Sequence, residues 1–247
     1  MEQWRKNVYV LWFAVFMGAI CWNLVMPFMP DYLGQLGVTH GVEMWSGIII
    51  AASAVCSMIS APIWGAMGDR YGRRMMLLRA GVFLVIGYVW MALVRGPWDL
   101  LLDRMMIGGF TGFVPMAIAL IGVSTPQEHM AMAMGMIQTA WPSGQILGPV
   151  IGGVLADWVG IPGSSWISAV LMAITVALVV WQVKEEFAPP KAEQSSLIQD
   201  LQVAASNKVI LAIVLITTAA NAAVMALEPV VVPFVKQLEG PNAPSWM

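Results

Sequence analysis

Apolar residues run along this chain in long blocks, each close to the ~20 residues that carry a helix across a hydrocarbon core about 30 Å thick. Seven blocks can be drawn: residues 8–30, 44–66, 75–94, 98–124, 129–156, 164–183 and 209–235. Inside lipid every backbone polar group has to be satisfied within its own segment, so each block predicts a spanning helix. The first block begins after Trp4, Arg5 and Lys6. It runs too long for a signal peptide, lacks a small-residue cleavage pattern and carries Pro27 and Pro30 at its far end, so it reads as a retained helix.

Composition agrees. With 59% hydrophobic and 11% charged residues among 247, and a mean hydropathy of +0.77, the chain fits no ordinary soluble domain. The net charge of -2 gives no sign of a nucleic-acid partner. The placement of Lys and Arg says more. With the amino terminus cytoplasmic, Arg5, Lys6, Arg70, Arg73, Arg74, Arg79, Lys184, Lys191 and Lys208 all fall inside, Arg95 and Lys236 fall outside, and Arg104 lies within the membrane. Cys21 and Cys56 both sit inside predicted helices and read as small packing residues rather than a disulfide.

Short loops join the first six blocks, whereas 184–208 form a longer polar segment with Lys184, Glu185, Glu186, Pro189, Pro190, Lys191 and Glu193. This boundary divides the chain into a six-helix transmembrane bundle (1–183), a cytoplasmic linker (184–208) and the first helix of an incomplete second bundle (209–247). In the linker, Leu197, Ile198, Leu201, Ala204 and Ala205 recur at helical spacing behind Ser195, as in a helix lying on the membrane surface. Across it a pattern repeats. Pro27, Pro30 and Gln35-Leu36 find counterparts in Pro229, Pro233 and Gln237-Leu238, and Ser245-Trp246-Met247 falls at about the same offset from Met44-Trp45-Ser46. Six helices, a linker and a restart are what a parallel duplication predicts, with the chain ending where an eighth helix is expected.

Three segments carry chemistry. Between the second and third blocks stands Gly65-Ala66-Met67-Gly68-Asp69-Arg70-Tyr71-Gly72-Arg73-Arg74. Glycines at both ends of a tight turn let two helix ends approach, and one carboxylate among three guanidinium groups forms a charge cluster with more than one arrangement. The fifth block holds Gly144, Gly148-Pro149 and Gly152-Gly153, small residues at four-residue spacing for backbone-to-backbone packing, with a proline that bends the helix there. The fourth block holds Asp103-Arg104 followed by Gly108, Gly109 and Gly112. A guanidinium inside a membrane helix costs at least ~2.5–3.5 kcal/mol, so Arg104 is expected to face a partner or a wet cavity.

Together these segments resemble the major facilitator superfamily, over almost the whole chain. The Gly-Asp-Arg-Gly-Arg-Arg loop resembles that family's motif between helices 2 and 3. The glycine-proline pattern resembles the helix 5 motif of its proton-coupled exporters, and Gly108-Gly109-Phe110-Thr111-Gly112-Phe113 together with Val25-Met26-Pro27-Phe28 resemble its multidrug exporters. The resemblance implies an all-α polytopic membrane protein: a six-helix amino-terminal bundle plus one further helix, truncated. It implies proton-coupled efflux of hydrophobic or cationic small molecules across the inner membrane, performed by a complete twelve-helix protein, with no cofactor. On this reading Arg104 takes part in proton coupling, and Gly65, Asp69, Arg70, Gly72, Arg73 and Arg74 form a conformational gate. The missing carboxy-terminal bundle becomes a partner, in the same chain or another.

Alternatives remain beside it. Asp103 departs from the family pattern and reads as a coupling residue, as a local partner of Arg104, or as a side chain snorkelling outward. Glu228, the one acid deep in the seventh block, reads as a proton or drug site or as a residue reaching the outer interface. Trp22, Asn23, Phe113 and Trp141 are cavity-lining candidates. A retinal protein is excluded because Lys236 sits at a helix end. A membrane enzyme finds no support, because His40 and His129 are isolated and no metal-ligand cluster or paired nucleophile appears. Two rivals stay open: a fragment with no transport of its own, and an uptake carrier for a metabolite.

Overall fold

The computed structural model describes residues 2–185 and six residues further on, Ser206, Ala212, Ile213, Leu215, Ile216 and Ala219, which are helical and exposed. Apart from these six positions, the expected surface helix and the seventh block with Glu228 lie outside the described residues, as do Lys236 and the second copy of the repeat. Among those described there is no strand.

The elements are α1 (Gln3–Asn23), α2 (Met29–Gln35), α3 (Val42–Tyr71), α4 (Arg73–Leu93), α5 (Pro97–Phe110), α6 (Phe113–Ser124) and α7 (Met130–Gln182). Helices α1 and α2 form one apolar span, Gln3–Gln35, interrupted by a 3-10 turn at Met26–Phe28. Pro27 and Pro30 explain the interruption. Each lacks an N–H and crowds the carbonyl four residues back, so the α-ladder cannot run through them.

The sequence draws 98–124 as one helix. The structure breaks it between α5 and α6, where Thr111 is extended and Gly112 has φ +112°. That backbone conformation suits glycine and strains a residue with a Cβ.

Conversely, the separate blocks 129–156 and 164–183 are joined in α7, whose 53 residues would reach roughly 80 Å if straight. It is not straight: Gly160 alone leaves helical geometry, at φ +71° and ψ +174°, and Pro162 opens the second arm. The arms, 130–159 and 161–182, run in opposite directions along α1. Positions 144, 148 and 152 approach α1 at Ala19, Asn23 and Leu24 in ascending order. On the second arm, the Ser168 carbonyl faces the Cys21 thiol and the Gln182 carbonyl accepts a hydrogen bond from Gln3. The described residues therefore make six passes, with α1 against both arms of α7, α4 against the second arm, and α3 against α5.

Lipid tails are as apolar as leucine, so burying Leu11 or Leu77 does not by itself hold such passes together. Close packing and hydrogen bonding do. Asn7 is buried and clamps the backbone of Lys184, donating to its carbonyl at 2.7 Å and accepting from its N–H at 3.2 Å. This fixes the end of the second arm to the start of α1.

Candidate functional site

Proline at the first position of α5 sets Asp103 six residues, or about 9 Å, into the helix. Both Asp103 and Arg104 are fully buried, at 0% and 1% exposure. Asp103 therefore does not snorkel outward. It pairs locally, its Oδ2 3.5 Å from Arg104 Nε. That is ion-pair distance without hydrogen-bond geometry: neither carboxylate oxygen nor Arg104 Nε has a hydrogen-bond partner. The guanidinium reaches instead toward the Met91 sulfur through Nη2 and lies 5.7 Å from the centroid of the Trp22 ring. The Tyr32 hydroxyl closes the same region by donating to the Met91 carbonyl at 3.0 Å. A buried ion pair whose polar atoms are not all satisfied contributes little to stability.

Below this pair the break between α5 and α6 frees carbonyl groups, and α3 and α4 supply their donors. Trp64 Nε1 donates to Gly109 O at 2.7 Å, Ser60 Oγ to Gly108 O at 3.4 Å, and Arg79 Nη2 to Thr111 O at 3.3 Å. Arg79, within the predicted block 75–94, lies in α4, six residues past Arg73. Its guanidinium sits 3.5 Å from the Trp64 ring centroid and 6.0 Å from that of Phe83, and Phe110 stacks on Phe83 at 4.4 Å. Nothing in the apolar pattern announced this clasp. The signals that would have found it are a lone tryptophan and a lone arginine on helices flanking a glycine-rich break.

The glycines of α7 do what their spacing implies. A Cβ at Gly144 would stand 2.7 Å from Phe16 O, one at Gly148 2.5 Å from Asn23 Cβ, and one at Gly152 2.8 Å from Leu24 O. Gly153 is buried beside them and Pro149 is partly buried. Asn23 donates to Ala19 O at 2.8 Å and so is satisfied within its own helix. Trp22 and Trp141 lie partly buried at the edge of the core, whereas Phe113 is 4% exposed and packs inside it, against Gly18 and Gly81.

The charged loop is only partly as its glycines suggest. Gly72 has φ +96° and turns the chain, and Gly68 faces the end of Met116, but a Cβ at Gly65 would meet nothing within 4 Å. Arg73, the first residue of α4, pairs with Asp69 near the end of α3 at 2.6 Å across the turn at Gly72; Asp69 is 63% exposed, so the pair adds ~0–1 kcal/mol. Arg70 lies over Tyr71. Glu185 was missed. Its two carboxylate oxygens accept the N–H groups of Arg73 at 3.0 Å and Arg74 at 2.8 Å, capping a helix whose preceding residue is a glycine with no side chain to do so.

Among the described residues, six consecutive apolar passes long enough to cross a membrane define a polytopic membrane fold. The family profile of the Major Facilitator Superfamily matches residues 11–244, and the chain belongs to that superfamily. Multidrug resistance protein MdtG from Escherichia coli strain SMS-3-5 / SECEC is 34% identical over 240 residues, which make up 96% of this chain and 59% of that one. The protein of the same name from strain 55989 / EAEC is 33% identical over the same shares. The chain thus spans 59% of the length of these curated relatives. Among solved structures, the human organic anion transporter MFSD10 superposes with a TM-score of 0.68 at 20% identity, covering 76% of this chain and 49% of that one. The POT family transporter PepTSo gives 0.65 at 16%, covering 91% and 48%. At these identities the likeness is one of fold.

Proposed function

We propose that this chain is the amino-terminal part of a proton-coupled exporter of hydrophobic or cationic small molecules in the inner membrane, with its amino terminus in the cytoplasm. The relatives' name, the glycine-proline pattern of α7 and the basic residues gathered at one end of the bundle support this reading. The observation that carries it is the sealed Asp103–Arg104 pair.

In one state Asp103 is an anion and holds the Arg104 guanidinium. A proton arriving at an Asp103 oxygen cancels that attraction and leaves Arg104 a cation free to move, so proton binding and helix position become linked. Substrate binding that favours the other arrangement then favours release of the proton. Glu228 is the second carboxylate in the scheme, for the proton or a cationic substrate. Asp69 with Arg70, Arg73 and Arg74 gates the cytoplasmic end, where Gly72 turns the chain and Gly65 lies about one turn before Asp69 inside α3. The substrate cavity forms against a second six-helix bundle, in the same chain or another.

Inverted membrane vesicles from cells expressing the gene test this with a fluorescent lipophilic cation. Uptake into the vesicles that stops when a protonophore collapses the gradient is the expected result, and Asp103→Asn is expected to bind the cation yet lose the response to the gradient. Transport that ignores the gradient would sink the scheme, and accumulation in the opposite direction would make the protein an uptake carrier.

A further inference from the structure

Asp103 is sealed at 0% exposure, and neither its carboxylate oxygens nor Arg104 Nε has a hydrogen-bond partner. A carboxylate that is to gain or lose a proton needs contact with water, so part of the wall around it has to open. Such openings draw on short segments with few ties, not on long packed helices. Leu100 stands three residues before Asp103 and four before Arg104, one turn toward the start of α5 on the same face. It is 0% exposed and packs in one cluster with Met91 of α4 and with Met29, Tyr32 and Leu33 of α2. On the side of the α5 start, then, the wall over the pair includes α2.

Helix α2 is the shortest α-helix among the described residues. Its seven residues turn Met29, Tyr32 and Leu33 inward, each at 2% exposure or less, and leave Pro30, Asp31, Gly34 and Gln35 exposed. Asp31 and Gln35 on that outer face are suited to water and costly in lipid. Both ends of α2 carry a joint. On one side the Met26–Phe28 turn around Pro27 breaks continuity with α1, and on the other Gly37, at φ +91°, ends the helix. Between the joints the Tyr32 hydroxyl ties α2 to α4 through the Met91 carbonyl at 3.0 Å. Met91 also presents its sulfur to Arg104 Nη2, so one residue of α4 touches both the short helix and the ion pair.

We propose that α2 is a lid over the Asp103–Arg104 pair, jointed at Pro27 and Gly37 and latched by Tyr32, and that its opening is the route by which Asp103 meets water. Tyr32 is a positioning residue in this device: it holds the lid and takes no proton itself. The lid rests on the proton role proposed for Asp103 but is measured without transport. A failed lid leaves that role standing, and a working lid over an Asp103 whose Asn variant still follows the gradient refutes the role alone.

The purified full chain in detergent is treated at one pH with a water-soluble carbodiimide, which adds to accessible protonated carboxyl groups. Modification of Asp103 is followed by peptide mass spectrometry, with the exposed Asp69 as internal standard, and amide hydrogen exchange over 29–35 is followed in parallel. Tyr32→Phe keeps the ring and removes the latch. It is expected to speed exchange of that segment and modification of Asp103 by the same factor, about two- to tenfold, the change in open population that loss of one ordinary hydrogen bond produces. Leu33→Ala, which thins the packing under the lid and leaves the latch in place, is expected to act in the same direction. Exchange within α1 and α4 is expected to stay at the parent's rates in both variants; an equal rise there would mean general loosening and overturn the lid. Faster exchange of 29–35 with Asp103 modification unchanged would also overturn it and move the route to another face, such as the one beside Trp22, whose ring lies 5.7 Å from the Arg104 guanidinium. Exchange of 29–35 unchanged in both variants would show that neither contact holds α2, and the proposal would fall.

Discussion

Two arginines stand inside the bundle, and they are held in opposite ways. Arg104 has a carboxylate beside it, is sealed from solvent, and leaves its partner's oxygens without hydrogen bonds. Arg79 has no carboxylate partner among the described ion pairs; the Trp64 ring and the Thr111 carbonyl hold it instead. An aromatic face and a backbone carbonyl cannot take up a proton at any ordinary pH, so the Arg79 arrangement is fixed. Asp103 can, so the Arg104 arrangement is switchable. Under the proposed scheme the two have distinct mechanical roles: Arg79 with Trp64 braces the break between α5 and α6, and Arg104 with Asp103 is the part that changes.

The comparison predicts its largest effect at Arg104. Arg104→Gln leaves Asp103 buried without a counter-charge, which is expected to cost about 3–5 kcal/mol of stability. D103N/R104Q removes both charges and is expected to recover most of that loss. Thermal unfolding of the parent, Asp103→Asn, Arg104→Gln and the double variant in one detergent closes the cycle. A double-variant loss equal to the sum of the two single losses would mean that the two side chains do not act as a pair.

The six passes were legible because length and apolarity define a crossing and lipid leaves the backbone no alternative to helix. The interruptions were not, because apolar pattern is blind to a single backbone angle. Gly112 turns the fourth pass within one apolar run, and Gly160 alone reverses a chain for which the sequence suggested a seven-residue loop from 157 to 163. Site residues divide the same way. Gly144, Gly148 and Gly152 were readable because four-residue spacing maps directly onto one helix face, and α1 lies against it. The burial of Asp103 depends on where α5 starts, a boundary of a few residues that decides between an interface side chain and a sealed one. Glu185 looked like the first acid of a linker, since a cap contributed across more than a hundred residues has no local signature.

A smaller effect is expected at the brace. Arg79→Gln keeps a donor for Thr111 O but gives up the cation over Trp64, a loss of about 0.5–2 kcal/mol. Trp64→Phe keeps an aromatic face and loses the donor to Gly109 O, about 0.5–1.5 kcal/mol. Neither is expected to alter the response of transport to the proton gradient. If Arg79→Gln abolished that response while the protein stayed folded, the brace would be part of the switch and the division between the two arginines would fail.

The glycines beside these two centres sharpen the comparison by their inequality, down to the smallest effect expected, at Gly65. Gly108 lies one turn past Arg104, where an added Cβ would collide with the Ser53 backbone of α3; backbone cannot step aside as a flexible side chain does. Gly108→Ala is therefore expected to force α5 away from α3 at a cost of about 1–3 kcal/mol. Gly65 adjoins Trp64 yet has open space where its Cβ would be. It lies inside α3, where alanine is the better helix former by ~1 kcal/mol, so Gly65→Ala is expected to be neutral or slightly stabilising. Paired melts in one detergent give the sign of each. A marked loss at Gly65 would show that a neighbour approaches the end of α3 during the working cycle, the role its motif suggests and its surroundings here do not require.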